Sequence, residues 1–256
     1  MSVVSASQFV PTPGVLDIWE LDLARQESEE DLALLTPEEL AKGRRIIIPA
    51  KCTQSLRARA ELRRVLGAYL KLPPQELRFV YGEFDKPDLD PSQQPGPGAI
   101  APVLSFNLSH SEAVGLIGVV LTEEPHALGV DVEHVRDNRD LVGIAESFFA
   151  PDEVASFRRL PEHERCDAFY RAWTRKEAYL KALGTGLSFS STAFSISYGR
   201  DEIPRVLRTT RAGDDPGRWQ LLDVRCATPG YAAAACWDGA PLPLRRFWGP
   251  TSEPSR

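Results

Sequence analysis

The chain alternates between two kinds of hydrophobic pattern, and it does so twice. DIWELDL (17–23) has the period of a strand. TPEEL (36–40) is a helix start, with Thr36 as N-cap, Pro37 at the first position and Glu39 three residues past the cap. A second helix is predicted over 50–70, where Leu56, Leu62, Val65, Leu66 and Tyr69 recur near helical spacing. Strands are predicted at ELRFVYGE (76–83), VLSFNLS (103–109) and AVGLIGVVLT (113–122). The proline- and glycine-rich run 86–102 between the first two reads as a loop.

The order then starts again. ALGVDVEHV (127–135) reads as a strand, followed by helical segments at 138–149, 151–160 and 163–183, the last closed by Gly184. Strand-like runs follow at AFSISYG (193–199), WQLLDVRCA (219–227) and YAAAACWD (231–238). The pattern predicts an α+β (α/β) pseudo-dimer of two similar halves, each a strand, helices and three strands, without visible sequence repetition. The expected boundaries are a loose N-terminus over 1–14, one half over 15–122, a second over 123–240, and an irregular proline-rich tail over 241–256. Clefts between such halves are common ligand sites, and the site is expected there. One chain with both halves can build the cleft alone, so a monomer is expected.

Composition narrows the function. With 256 residues, 43% hydrophobic and 26% charged, the chain suits one large or two small globular domains. No apolar run is long enough to span a bilayer, and the N-terminus lacks a basic stretch before an apolar core, so neither a membrane span nor a signal peptide is expected. Cys52, Cys166, Cys226 and Cys236 fit no zinc or redox spacing and read as buried thiols, which points to a reducing, cytoplasmic setting. The net charge of -6 argues against nucleic acid as a partner. Yet Lys42 to Arg64 holds eight Lys or Arg residues against one acid, Glu61. That run is either a solvated helix face or a local anion site.

Three motifs carry the candidate chemistry. In GVDVE (129–133), strand alternation turns Asp131 and Glu133 to one face, roughly 6–7 Å apart, and Val130 and Val132 to the other. Such a pair is either a solvated edge or a seat for a hard cation such as Mg²⁺. In FYRAWTRKEAYLKALGTG (169–186), helical projection puts Phe169, Ala172, Trp173, Leu180 and Leu183 on one arc. Lys176 and Glu177 fall inside it, Lys181 borders it, and Arg171 and Arg175 fall on the open face. Ionised groups on a buried arc need partners. Those partners are either a buried ion pair or a metal site completed by Glu177 with lysines reaching phosphates. In SFNLSHS (105–111), His110 between two serines reads as a structural histidine or as a phosphate cradle. No G-x-S-x-G elbow supports a serine nucleophile.

Together FNLSHS (106–111), GVDVE (129–133) and FYRAWTRKEAYLKALGTGL (169–187) resemble the 4′-phosphopantetheinyl transferases of the larger, surfactin-synthetase-activating (Sfp-like) type, over roughly 15–238. TPEELAKGRR (36–45) and the KP at 86–87 are similar to two further motifs of that family. The resemblance implies transfer of the 4′-phosphopantetheine arm of coenzyme A to a serine of an apo acyl or peptidyl carrier protein, with Mg²⁺, releasing 3′,5′-ADP. It implies Asp131, Glu133 and Glu177 as metal carboxylates, Lys181 near the pyrophosphate, and Lys42, Lys86 and His110, with Ser109 beside them, as ligands of the coenzyme A phosphates. Glu177, Lys181 and Asp131 would be the catalytic set, and Glu153 a glutamate toward the carrier-facing side. Two positions depart from the pattern: Glu39 stands where a relative has a lysine, and the turn before Lys86 reads Asp85-Lys86-Pro87 without its glycine. The rival readings are a non-catalytic coenzyme A or nucleotide-binding module, which has no need of three carboxylates, and a Mg²⁺-dependent phosphohydrolase.

Overall fold

The structure, a computed structural model, describes residues 8–82, 84, 86–95, 101–137 and 140–251. Parts of the expected N-terminus, of the turn at Asp85, of the long loop, of the helix starting at 138 and of the tail lie outside the described residues. The chain divides into two units, Met1–Pro125 with Leu242–Arg256, and His126–Pro241.

The first unit opens with β1 (Leu16–Asp22), then α1 (Glu29–Ala33), α2 (Pro37–Arg44) and α3 (Pro49–Leu70). Ser28 and Thr36 close capping boxes on α1 and α2. The acid of each box, Asp31 and Glu39, returns to the N-cap backbone, satisfying donors that a helix start otherwise exposes. Next come β2 (Phe79–Tyr81), β3 (Pro87–Leu89), β4 (Val103–Ser111) and β5 (Val114–Thr122). β1 pairs antiparallel with β5, and β5 with β4. α3 lies over this sheet, where Ala58, Leu62, Val65 and Leu66 pack with Trp19, Leu21, Phe106, Ile117 and Val119. β2 and β3 form a separate two-stranded hairpin.

The second unit runs β6 (Leu128–His134), α4 (Leu141–Phe148), α5 (Pro151–Phe157), α6 (Glu162–Leu183), β7 (Phe194–Ile196), β8 (Val206–Thr209), β9 (Trp219–Asp223) and β10 (Tyr231–Asp238). Its first strand, β6, pairs with its last, β10, which pairs with β9. β7 and β8 form the separate hairpin. Each unit therefore repeats one wiring: first strand against last strand against next-to-last, helices after the first strand, and a small hairpin between helices and sheet. Four strands, not three, follow the helices in each unit. The extra ones, β3 and β8, have four residues or fewer. They are defined by their partners rather than by any alternation of their own, which is why 86–102 read as loop.

α6 approaches β6 closely at Gly129. A Cβ there would lie 2.1 Å from the Ala178 carbonyl oxygen and 2.4 Å from the Ala182 nitrogen. The small residues Ala232 and Ala234 stand opposite Glu133 and Asp131 on β10. The helix thus rests on the face to which Gly129, Asp131 and Glu133 turn.

The last strand, β11 (Leu244–Trp248), overturns the expectation of an irregular tail. It runs parallel to β1 and completes the order β11-β1-β5-β4. Phe247 stacks on Trp19 at 4.7 Å between ring centroids. Arg245 donates to both oxygens of the buried Asp17, at 2.7 and 2.8 Å, and Tyr69 of α3 donates to the same carboxylate at 2.6 Å. Prolines 241 and 243 marked a boundary, but the apolar and ionic partners that wait on β1 turn the residues after it into a strand.

Candidate active site

α6 is buried nearly all round, because the sheet covers one side and α4, α5 and β7 cover others. A single buried arc does not describe such a helix, and Arg175, expected on the open face, is 1% exposed. Its guanidinium makes a two-pronged pair with Asp223 of β9 at 2.7 and 2.6 Å and donates to the Ser197 carbonyl at 2.6 Å. Arg171 is half-buried and donates to the Tyr198 carbonyl.

Lys176 has an internal partner. Its ammonium donates to Glu153 Oε2 at 2.6 Å and to the Phe194 carbonyl at 2.9 Å, and sits 4.1 Å from the centre of the Phe194 ring. Glu153 also accepts from the backbone of Ala150 and Ile196, at 2.7 and 2.8 Å. Both side chains are buried. Burial pulls the Lys176 ammonium below its usual pKa, against the opposing charge of Glu153. Of the two readings the sequence left open for Lys176, the structure shows the buried ion pair, and its partner is Glu153. The pair locks α5, α6 and β7 together and fixes the rotation of α6.

That rotation decides where the next residue points. Glu177 is half-buried, and its carboxyl is raised above the usual range, first by burial and then by the charges of Asp131 and Glu133, with Lys181 opposing. Lys181, one turn on, donates to Asp131 Oδ1 at 2.6 Å. The second unit so brings together Asp131, Glu133, Glu177 and Lys181 from two elements 44 residues apart in sequence between Glu133 and Glu177.

Among the described residues no group of three or more His, Cys, Asp and Glu side chains is arranged as a ready metal site. The donor chemistry still fits a hard cation: oxygen ligands only, with Asp131 held by an ammonium and Glu177 disfavoured as an anion by its neighbours. A dication would relieve that repulsion.

The remaining expected ligands belong to the first unit. Lys42 lies in the last turn of α2, its ammonium 5.3 Å from the centre of the Tyr81 ring. Lys86 precedes β3, and its ammonium is lowered by burial. Its carbonyl accepts from Gly82, and the next residue, Pro87, pairs with Tyr81. β4 continues through Ser111, so Ser109 and His110 turn to opposite faces of the sheet rather than forming one cradle. Ser109 shares its face with Ser105 and Asn107 and is buried, whereas His110 is exposed. Glu39 accepts from Arg63 at 2.8 Å and lies 3.6 Å from Arg59. Sequence reasoning missed the contact of Arg59 with Tyr81, whose hydroxyl accepts from the Arg59 guanidinium at 3.1 Å. The only signal for it was the basic run on α3 facing an aromatic strand.

The motif-bearing segment, residues 127–236, matches the 4′-phosphopantetheinyl transferase superfamily. The chain is 37% identical over 210 residues to the 4′-phosphopantetheinyl transferase HetI of a Nostoc species, covering 81% of each protein. This chain belongs to the 4′-phosphopantetheinyl transferases. It is also 26% identical to the transferase Sfp of Bacillus subtilis, over 84% of this chain and 87% of that protein. A phosphopantetheinyl transferase of a Thraustochytrium species is 27% identical over 93% of this chain and 86% of its own length. Family membership makes the protein a transferase.

Proposed function

We propose that this transferase moves the 4′-phosphopantetheine arm of coenzyme A onto a serine hydroxyl of an apo acyl or peptidyl carrier protein, using Asp131, Glu133, Glu177 and Lys181 as its reaction centre. The observation that carries the assignment is the grouping of three carboxylates and one ammonium where α6 meets β6. Lys42, Lys86, Ser109 and His110 are the proposed ligands of the coenzyme A phosphates. Asp131, Glu133 and Glu177 would hold Mg²⁺. When bound, Mg²⁺ supplies charge neutralisation and Lewis acidity at the pyrophosphate.

The serine oxygen forms a bond to the β-phosphorus, and the bond from that phosphorus to the bridging oxygen of 3′,5′-ADP breaks. Glu177 takes the serine proton, a role favoured by the burial and neighbouring charge that raise its proton affinity. Lys181 stabilises the charge that develops on the departing phosphate. Its bond to Asp131 aims it across the site. Asp131 in turn is oriented by that bond.

The four cysteines are free, which supports a reducing, cytoplasmic location. Among the described residues no helix is long and apolar enough to cross a membrane. A single chain carries every proposed ligand, which supports a monomer.

Incubation with coenzyme A, Mg²⁺ and a panel of apo carrier domains, read by intact mass, tests the proposal. The expected result is one phosphopantetheine added per carrier, with 3′,5′-ADP formed in equal amount. Breakdown of coenzyme A without carrier, or an unmodified carrier across the panel, overturns it.

A further inference from the structure

After Lys42, the rest of the basic run falls into two sets. The four arginines of α3 are tied up inside the first unit: Arg57 and Arg64 with Asp31, at 3.1 and 2.6 Å, and Arg63 and Arg59 with Glu39, at 2.8 and 3.6 Å. Arg44, Arg45 and Lys51 are exposed, and no acid pairs with them among the described residues.

Between these three cations the chain reads Ile46, Ile47, Ile48, Pro49. These residues turn it from α2, which ends at Arg44, into α3, which starts at Pro49. Ile47 is 93% exposed and Ile48 53%. A single exposed isoleucine is ordinary, but two in succession with cations on either side form an apolar tip in a basic collar. The buried residues of α3 begin at Thr53, so packing does not account for the isoleucines.

The start of α3 does not need them either. Ser28 and Thr36 cap α1 and α2 with side-chain oxygens, and acids fill the first turn of both helices. Ile48 holds the N-cap position of α3 and makes no side-chain bond there. No acid lies in its first turn, where Lys51 stands instead. A helix N-terminus carries partial positive charge, so Lys51 and the nearby arginines sit where cations are least favoured. From Leu40 to Ala60 the sequence holds no Asp or Glu to offset them.

We propose that the α2–α3 turn attaches the protein to an anionic membrane surface, with Ile47 and Ile48 entering the acyl boundary and Arg44, Arg45 and Lys51 at headgroup depth. An aliphatic tip flanked by cations suits the membrane interface, and its charge selects an anionic leaflet. A protein partner needs about 800 Å² on each side, which a two-residue tip does not offer. A bilayer needs only a tip that protrudes and cations that stay outside. The net charge of -6 makes the rest of the surface repel such a leaflet, which orients the molecule with this turn toward it. Two apolar side chains and three cations make the attachment weak and reversible. It involves no helix that spans the bilayer, and it is independent of the proposed reaction centre.

The test sediments the full-length protein with vesicles of phosphatidylcholine, alone or with about 30% phosphatidylglycerol. The parent should bind the anionic vesicles at least about tenfold more tightly than the neutral ones, and raising salt from about 0.1 M to about 0.5 M should release it. Ile47→Asp should weaken anionic binding about tenfold or more, whereas Ile47→Leu should stay within about twofold of the parent. Arg44→Gln combined with Arg45→Gln should weaken it about 25-fold, or about fivefold per cation. Ile47 is exposed, so its variants should match the parent in melting temperature and in carrier modification without vesicles. Vesicle binding is read without coenzyme A or carrier, so its outcome does not depend on the transfer reaction. A parent that binds neither vesicle, or both equally, overturns the proposal. So does an Ile47→Asp variant that binds like the parent, because adsorption by charge alone needs no isoleucine. If Ile47→Asp instead loses carrier modification without vesicles while staying folded, the turn serves a protein partner and the membrane assignment falls.

Discussion

The two units share a wiring diagram and a lock, and differ at the residue after the lock. In each, a short helix begins with proline and places a glutamate at its third position: Glu39 in α2 and Glu153 in α5. Each glutamate caps its own helix and takes a buried cation from the following 22-residue helix, Arg63 of α3 or Lys176 of α6. One residue further, the units part. Arg64 pairs with Asp31 at 2.6 Å, whereas Glu177 turns toward two more carboxylates. The first strands differ in the same way. β1 turns Trp19 and Leu21 to its long helix, and β6 turns Asp131 and Glu133. The same frame holds an apolar interface in one copy and the proposed reaction centre in the other, so the charged cluster costs the second unit packing that the first retains.

Substitutions should therefore separate activity from stability by unit. The largest effect is expected from Glu177→Gln, which should lower kcat/KM about a thousandfold while leaving the melting temperature equal or higher, as measured by carrier modification and calorimetry. Chelation of Mg²⁺ should abolish transfer by the parent, and added Mg²⁺ should restore it. A fall in stability as large as the fall in activity would show that Glu177 is structural.

Trp19→Ala, at the equivalent face of the first unit, should cost about 3–5 kcal/mol in urea unfolding, from lost burial and the cavity left behind. Breaking a lock should cost nearly as much. Lys176→Met leaves Glu153 buried without its cation and should destabilise by about 3–5 kcal/mol, most of it recovered when Glu153→Gln is added. If the double variant is stable but inactive, the lock is needed to aim Glu177 and not merely to hold the unit together.

The smallest effect concerns pH. Glu61 on α3 is fully buried, and burial raises its carboxyl against the opposing bonds from Thr251 and Arg64. A carboxyl with a raised native pKa binds more protons folded than unfolded, so its contribution is full in acid and declines as pH rises through the native value. Glu61→Gln should lack that decline. Urea titrations at several pH values should show the parent losing ground to Glu61→Gln from the ordinary glutamate range upward.

The carboxylates of β6 and the charges on α6 were legible because alternation and helical projection are local. So were the capping boxes, where Thr36 and Glu39 are three residues apart. What escaped depends on partners distant in sequence. Lys176 and Glu153 are separated by 23 residues, and no spacing rule joins them. Arg175 projected to the open side because one arc was assumed for a helix that is covered on several. β11 escaped because five residues after two prolines carry too little alternation to outweigh them. The match of the two locks was hidden too, since one uses arginine and the other lysine.

Strand β11 also sets an order of events during synthesis. The second unit is one uninterrupted stretch, complete once Pro241 has left the ribosome. The first unit is begun earlier and finished later, because Asp17, Trp19 and Tyr69 wait for Arg245 and Phe247. A nascent chain stalled before Leu244 would hold every residue of the proposed reaction centre while the first unit still lacked its edge strand, so translation delays the first unit until Leu244–Trp248 are made.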